Sequence, residues 1–304
     1  MNLIRFKPSA ADGNALPGTV GALLLAAALG LPAVARAQAP FDTPEQATNA
    51  LIDAIAVNDA SRLPRLLGKT WKQILPLDEV PAEYRYQFLE KAYQSRVIEV
   101  NGDRAELVVG TDPWTLPIPL QKTAQGKWRF DPVGALEAVL ELRIGTNERA
   151  AIQSSLAYVD AQREYAAKDR NGDGLLEYAQ KFLSSPGKRD GLIWSESLGD
   201  DSPLGENYLP SRPGGGYYGY RYKILTGQGP NARGGARSYL VGKRMIGGFA
   251  LLGWPVRYGD TGVMSFIVNQ DGQVYQRDLG PGTASVVNSI KRFDPDESWK
   301  PTKP

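Results

Sequence analysis

The sequence predicts an α+β protein of two domains, each with helices packed on a mainly antiparallel sheet. Apolar residues recur at helical spacing from Ala47 and again from Ala151, so each half opens with helix. Short alternating runs bounded by Gly, Asn and Asp follow in each half, the pattern of hairpin-connected strands. Helices first and strands after, rather than strict alternation, argue for α+β. The expected division is a leader over residues 1–37, a small domain over 38–135 and a larger one over 136–304.

In the leader, an apolar run from Val20 to Val34 follows basic Arg5 and Lys7 and ends at Ala35-Arg36-Ala37. Charged, apolar and A-x-A regions in that order read as a secretory signal peptide cleaved near Ala37. The run falls short of the roughly 20 residues of a membrane span. Pro32 also interrupts its end, which weighs against the alternative, a retained N-terminal anchor. Residues 1–37 hold Arg5, Lys7 and Arg36 against Asp12, which accounts for the whole chain's formal charge of +2 and leaves the remainder neutral. A neutral chain gives no electrostatic case for nucleic acid. No second apolar run is long enough to span a membrane.

The first domain starts at Thr43-Pro44-Glu45-Gln46, where Thr43 suits the N-cap, Pro44 the first helical position and Gln46 the far side of a capping box. Ala47, Ala50, Leu51, Ala54 and Ile55 then give one apolar face. A short helix is expected around Leu63, Leu66 and Leu67, stopping at Gly68, and another over Ala82–Tyr93 with Tyr86, Leu89 and Tyr93 on one side. Strands are expected over Ala105–Val109, Leu116–Lys122 and Lys127–Phe130, the last two joined through Gly126. Trp71, Trp114 and Trp128 are core or rim residues, with a pocket lining as the alternative.

In the second domain, Leu136–Arg143 reads as a connecting helix ended by Gly145. A longer helix follows from Thr146 to about Lys168, with Ile152, Val159 and Ala166 in its stripe. Strands are expected over Tyr218–Ile224, Ser238–Val241, Gly248–Leu252, Val263–Val268 and Gln273–Gln276. The last two flank Asn269-Gln270-Asp271-Gly272, a hairpin turn signal. The tail Phe293–Pro304 reads as surface-laid or frayed.

Two absences bound the chemistry. With no Cys there are no disulfides and no thiolate, so an exported chain of this size must rely on packing. With no His there is no Ser-His-Asp triad and no histidine-ligated zinc. Asp169-Arg170-Asn171-Gly172-Asp173-Gly174 matches D-x-[DN]-x-[DN]-G, the first half of a calcium loop whose alternate side chains converge when Gly permits the turn. The candidate ligands are Asp169, Asn171, Asp173 and Glu177, Ca²⁺ being the one cofactor the sequence suggests. Position twelve is Gln180 instead of Glu, so Glu177 would substitute; Leu175–Phe182 is expected to be helical. An Asx-rich turn without metal is the alternative.

Other motifs fail on context. Ser185-Pro186-Gly187-Lys188 spells S-x-x-K, but Pro-Gly breaks the helical turn that Ser/Lys acyl transfer needs. Gly227-Gln228-Gly229-Pro230-Asn231-Ala232 mimics a dinucleotide fingerprint, yet Pro230 cannot open the required helix. Tyr217, Tyr218, Tyr220 and Tyr222 are either a stacking platform or a packed aromatic strand. Asp160 and Glu164 share a helix face, where a carboxylate pair serves acid/base work only inside a cleft.

The stretches Tyr158–Ala166, Asp169–Ala179, Ser185–Leu192, Met245–Ala250 and Tyr275–Pro281 resemble the bacterial secreted family catalogued as domain of unknown function 2950. That resemblance spans nearly all of the chain after residue 37 and implies no reaction. The first half, a helical hairpin before a sheet, is similar in element order to nuclear-transport-factor-2-like cone domains. The second half, a long helix, a D-x-N-G-D-G turn and Gly-rich strands ending at Gly262–Gly272, is similar to the globular heads of type IV pilin-like proteins. It lacks the hydrophobic N-terminal helix that builds their filaments.

These readings predict an exported soluble protein, periplasmic or secreted, acting as a non-enzymatic binding or envelope-associated accessory module. Its partner is an unidentified envelope or extracellular ligand, with no nucleic acid and no membrane span in the mature chain. The alternatives are a carboxylate-dependent hydrolase using Asp160 and Glu164 in an inter-domain cleft, and a pilus-associated structural protein.

Overall fold

A computed structural model describes residues 38–205 and 215–302. The expected signal peptide, Gly214 and the last two residues of the tail lie outside the described residues.

The first half carries helices α1 (Pro44–Ala56), α2 (Leu63–Leu67), α3 (Trp71–Ile74) and α4 (Ala82–Gln94), then strands β1 (Arg96–Asn101), β2 (Arg104–Val109), β3 (Trp114–Thr115), β4 (Leu120–Lys122) and β5 (Trp128–Phe130). Thr43 caps α1 by accepting from the Gln46 N–H at 3.3 Å, and the Gln46 side chain reaches back to the Asp42 N–H at 3.1 Å. Gly68 ends α2 at φ 77°, a left-handed conformation that most side chains resist. The strands form one antiparallel sheet in the order β1-β2-β4-β5, with β3 also on β2. Leu51, Leu63, Leu67, Leu77, Leu107, Leu120 and Phe130 fill the core between helices and sheet. On α4, Phe88, Leu89 and Ala92 turn inward, while Tyr86 and Tyr93 are 69 % and 94 % exposed. The expected Tyr86–Tyr93 face is therefore a solvent face. Strand β1 was missed because its Arg, Glu and Asn leave it on the sheet edge with little buried surface.

One helix, α5 (Pro132–Ala166), replaces the two expected. Asp131 caps it, accepting from the Val133 N–H at 3.1 Å, and Gly145 lies within it instead of ending it. A single Gly costs a helix only about 1 kcal/mol, which the 35-residue ladder and burial at both ends outweigh. The boundary expected between residues 135 and 136 thus falls inside a continuous helix of about 52 Å.

The second half adds strands β6 (Tyr220–Leu225), β7 (Gly227–Gln228), β8 (Arg237–Ser238), β9 (Leu240–Val241), β10 (Arg244–Met245), β11 (Ala250–Pro255), β12 (Met264–Asn269) and β13 (Tyr275–Asp278), then helix α6 (Thr283–Ser289) and strand β14 (Lys300–Pro301). The main sheet is antiparallel in the order β14-β13-β12-β11-β6. The β12–β13 turn uses Gly272 at φ 81°, as the Asn269–Gly272 signal requires. The C-terminal half of α5 covers this sheet with Ala151, Tyr158, Val159 and Tyr165, joined by Phe249, Leu251, Phe266 and Val268. Fully buried side chains of this size contribute about 1.5–3 kcal/mol each.

Polar side chains set the register of helix on sheet. Glu148 accepts from the backbone N–H groups of Val263 and Met264, both at 2.9 Å, where β12 begins. At its end, Arg163 donates to the Gln270 carbonyl at 3.1 Å. Helix α5 and strand β12 therefore run in the same direction, pinned at both ends. The tail is tied: Phe293 and Trp299 are buried and β14 closes the sheet. The fold is α+β with antiparallel sheets and two separate cores bridged by α5.

Continuity of α5 at Gly145 is testable, because a Cβ there meets only the Arg149 guanidinium at 3.9 Å. Gly145→Ala is expected to raise stability by about 0.5–1 kcal/mol in urea denaturation. A loss would mean that the helix breaks there.

Candidate functional site

The chain leaves α5 into the Asp169 loop, where consecutive Asx turns organise the backbone. Asp169 Oδ1 accepts from the N–H groups of Asn171 (3.2 Å) and Gly172 (2.8 Å), and its Oδ2 accepts from Gly174 (2.7 Å). Asn171 Oδ1 accepts from the Asp173 N–H and Asp173 Oδ1 from the Leu175 N–H, each at 3.1 Å. The hydrogen bond from Gly174, followed by those from Gly172 and its neighbours, holds the Asp169 carboxyl below the usual range. Asp173 is held low chiefly by Arg244, whose guanidinium grips both carboxylate oxygens, one of them at 2.9 Å. The Asn171 amide donates to Glu177 Oε1 at 3.1 Å.

All four expected ligands thus lie in one loop, each already engaged by protein donors. Among the described residues, no three His, Cys, Asp or Glu side chains converge closely enough to hold a metal ion. Gln180 turns away and donates to the Lys243 carbonyl at 2.8 Å.

The helix expected over Leu175–Phe182 does not form. Its backbone is claimed from outside: the Tyr178 N–H donates to the Met245 carbonyl at 2.7 Å. Buried Gln162 brackets Ala179, accepting from its N–H and donating to its carbonyl, both at 2.8 Å. Tertiary partners override the local helical pattern.

Beside the loop lies a hollow of about 380 Å³ bordered by Tyr165, Arg170, Asn171, Glu177, Lys188 and Arg189. The Arg170 side chain is 6 % exposed and lies over the rings of Tyr165 and Trp194, 5.5 and 5.1 Å from their centroids. Asp200 neutralises it at 3.5 Å and also pairs with Arg189 at 2.6 Å. Tyr165 donates to the Arg189 carbonyl at 2.9 Å. Burial, together with the negative charges of Glu177 and Asp190, pushes its hydroxyl up to about 12, so it stays a donor.

Across the turn at Gly187, Lys181 donates to Ser185 Oγ (2.7 Å) and to Asp190 Oδ2 (2.8 Å), and the Ser185 hydroxyl lies 3.0 Å from the same carboxylate. Partial burial opposes ionisation of Asp190, yet Lys181 and the Ser185 N–H and hydroxyl hold it at about 2. Lys181 is thus engaged in an ion pair with Asp190 as well as in its contact with Ser185. Lys188, the lysine of the S-x-x-K motif, meets Ser185 only through a backbone turn bond.

The remaining candidates do not assemble. Asp160 is 78 % exposed and pairs with Arg163 at 3.2 Å, and Glu164 is exposed beside it. Tyr220 is buried and donates to the Met264 carbonyl at 2.9 Å, while Tyr218 is exposed at the positive φ of 48°. The tyrosines therefore divide between core and surface. Trp128 is buried, and Trp114 sits at the surface edge-on to Phe88.

A family model described as "Protein of unknown function (DUF2950)" matches residues 38–302. The chain belongs to this family. No curated protein and no solved structure matches it, so the likeness to pilin heads and nuclear-transport-factor-2-like domains rests on element order alone. The match covers both cores and the whole loop region, so the family's common unit includes the bridging helix.

Sequence reasoning missed Gln162, Arg244 and the Arg170–Trp194–Asp200 cluster, because each acts across the fold with no local spacing to mark it. The Lys181–Asp190 pair makes a pH prediction. A carboxyl lowered from 3.8 to about 2 contributes stability that is present above pH 4 and lost as pH falls through 2. Asp190→Asn is expected to cost about 1 kcal/mol at pH 7, well under the full shift because the pair is solvent-screened. It should also flatten the acid limb of the stability profile between pH 4 and 2, read by thermal melts.

Proposed function

We propose that this is an exported, non-enzymatic binding module of the cell envelope whose binding face is the hollow beside the Asp169–Glu177 loop. The observation that carries the proposal is that Asn171 and Glu177 belong to both the loop and the hollow. A Ca²⁺ ion held by Asp169, Asn171, Asp173 and Glu177 would sit at the rim, where a ligand's polar groups complete its oxygen shell. Within the loop the charges of Asp173, Glu177 and Asp169 all bear on the single guanidinium of Arg244, while Arg170, Lys188 and Arg189 line the hollow beyond it.

Support for a non-enzymatic role comes from the carboxyls. Each Asp with a perturbed pKa, from Asp59 through Asp169, Asp173, Asp190 and Asp260 to Asp296, is shifted down. A general acid needs the opposite shift. Support for export comes from the family match beginning at residue 38, one position after the expected cleavage at Ala37. Among the described residues no helix is long and apolar enough to cross a membrane. N-terminal sequencing of protein from the periplasm or medium should begin at Gln38.

The Asp173–Arg244 grip favours a second reading of the loop, a metal-free turn in which the guanidinium supplies the cation. Calcium at about 10 mM, ten or more times the weakest constants of extracellular calcium modules, separates the two. The calcium reading expects about 1.4 kcal/mol of stabilisation, seen as a rise in Tm over EDTA and absent in Asp169→Ala. Arg244→Ala should enlarge the rise by removing the competing cation. A midpoint indifferent to calcium in both the parent and Arg244→Ala would leave the metal-free turn. Turnover of cell-wall, glycan or peptide substrates by the purified protein would overturn the binding-module reading.

A further inference from the structure

A second concavity, of about 420 Å³, opens between β13, α6 and the segment leading into β14. It shares no lining residue with the hollow at Asp169. Its floor is apolar: Ile267 and Trp299 are buried, Leu279 and Ile290 half-buried, and Val286 stands at the edge. Its walls carry Arg277, Lys291 and Arg292. Among the described residues these three side chains make no hydrogen bond and no ion pair.

The two carboxylates at the same rim are engaged mainly by other donors, although the charge of Arg277 also bears on Asp296. Asp294 is committed to Asn231, accepting from its backbone N–H at 2.8 Å and its side-chain amide at 3.1 Å. Gly229 secures that arrangement, since a Cβ there would lie 2.2 Å from the Asp294 carboxyl carbon. Asp296 accepts from the Ser298 N–H at 2.9 Å and from its hydroxyl, a turn that seats Trp299 in the floor. Behind the groove, Lys223 donates to the Val287 and Ile290 carbonyls at 2.7 and 2.8 Å, a further cation that has no carboxylate partner among the described residues. A concave surface with an apolar floor and an excess of cations over carboxylates on its walls is the complement of an anionic amphiphile.

We propose that this groove binds a monoanionic carboxylate joined to an apolar body, the carboxylate meeting Arg277 and Arg292 and the apolar body lying on Trp299, Ile290 and Val286. Guanidinium forks match a carboxylate in plane and make strong charge-assisted hydrogen bonds. The fixed charges of Asp294 and Asp296 at the rim select against dianions, because like charges brought together are penalised. Free acids and the C-terminal end of an apolar peptide share this chemistry. The proposal goes beyond the binding module at Asp169 and does not depend on calcium.

The experiment titrates the full chain, by calorimetry in EDTA, with 4-phenylbutyrate and with 4-phenylbutanamide. A second pair is acetyl-Leu-Phe with a free and with an amidated C-terminus, which tells a free acid from a peptide end as the better source. The expected result is saturable binding of at least one acid, with its amide weaker by about tenfold or more. The double variant Arg277→Gln/Arg292→Gln and the separate variant Val286→Glu should each weaken the acid by a similar factor. Both alter exposed or half-buried side chains, and circular dichroism checks their folding. The proposal is overturned if acids and amides bind alike, if no acid saturates, if both variants bind as the parent does, or if inorganic phosphate competes as well as the acid.

Discussion

Helix α5 is the member on which both halves depend. Its N-terminal end places Ala135 in the first core, and its C-terminal end lays Ala151, Tyr158, Val159 and Tyr165 on the second sheet. Between these contacts no residue of the helix is fully buried, and polar residues make the ties to the second half. Arg143 pairs with Asp260 at 2.7 Å and Asn147 donates to the Thr261 carbonyl at 2.9 Å, next to Glu148, which reaches β12. The apolar stripe supplies the burial and the polar run supplies the register, since sliding the helix by one residue would strand the Val263 and Met264 N–H groups.

That register decides where the candidate site stands. Residues 167–205 hold no strand and only one short 3₁₀ turn, a long irregular stretch for a compact fold. It is nonetheless half interior: Ala179, Leu192, Ile193, Trp194 and Leu204 belong to the second core. Burying irregular chain requires partners for its backbone groups. They come from α5 and from within: Gln162 to Ala179, Tyr165 to the Arg189 carbonyl, and Trp194 Nε1 to the Asp200 carbonyl at 2.9 Å. In a chain without cysteine, these side-chain ties do the cross-linking that disulfides provide in many exported proteins.

What the sequence made legible follows the range of the forces involved. Caps, turns and faces were readable wherever the deciding contact was local, as at Thr43–Gln46, Gly68 and Asn269–Gly272. The second half of the Asp169 motif was misread because the deciding contacts were remote. Leu175–Phe182 has helical spacing, but Met245 and Gln162 hold it extended. Gly145 misled in the opposite sense, since a stop signal worth about 1 kcal/mol cannot end a helix anchored on both sides. The four loop residues were correctly grouped, whereas Arg244, which answers Asp173 from another strand pair, carried no signal at all.

The electrostatics of the two concave sites differ for a structural reason. At Asp169 the acids are spent on backbone N–H groups and on Arg244, which fixes the loop beside the Arg170, Lys188 and Arg189 of the hollow. At the α6 groove the acids are hydrogen-bonded chiefly by neutral donors, and Arg277, Lys291 and Arg292 line the walls over an apolar floor. Burial depresses the Lys223 ammonium, and the charge of Lys291 adds to it, so positive charge there is held against a cost. The two concavities thus differ in which donors their aspartates have been given.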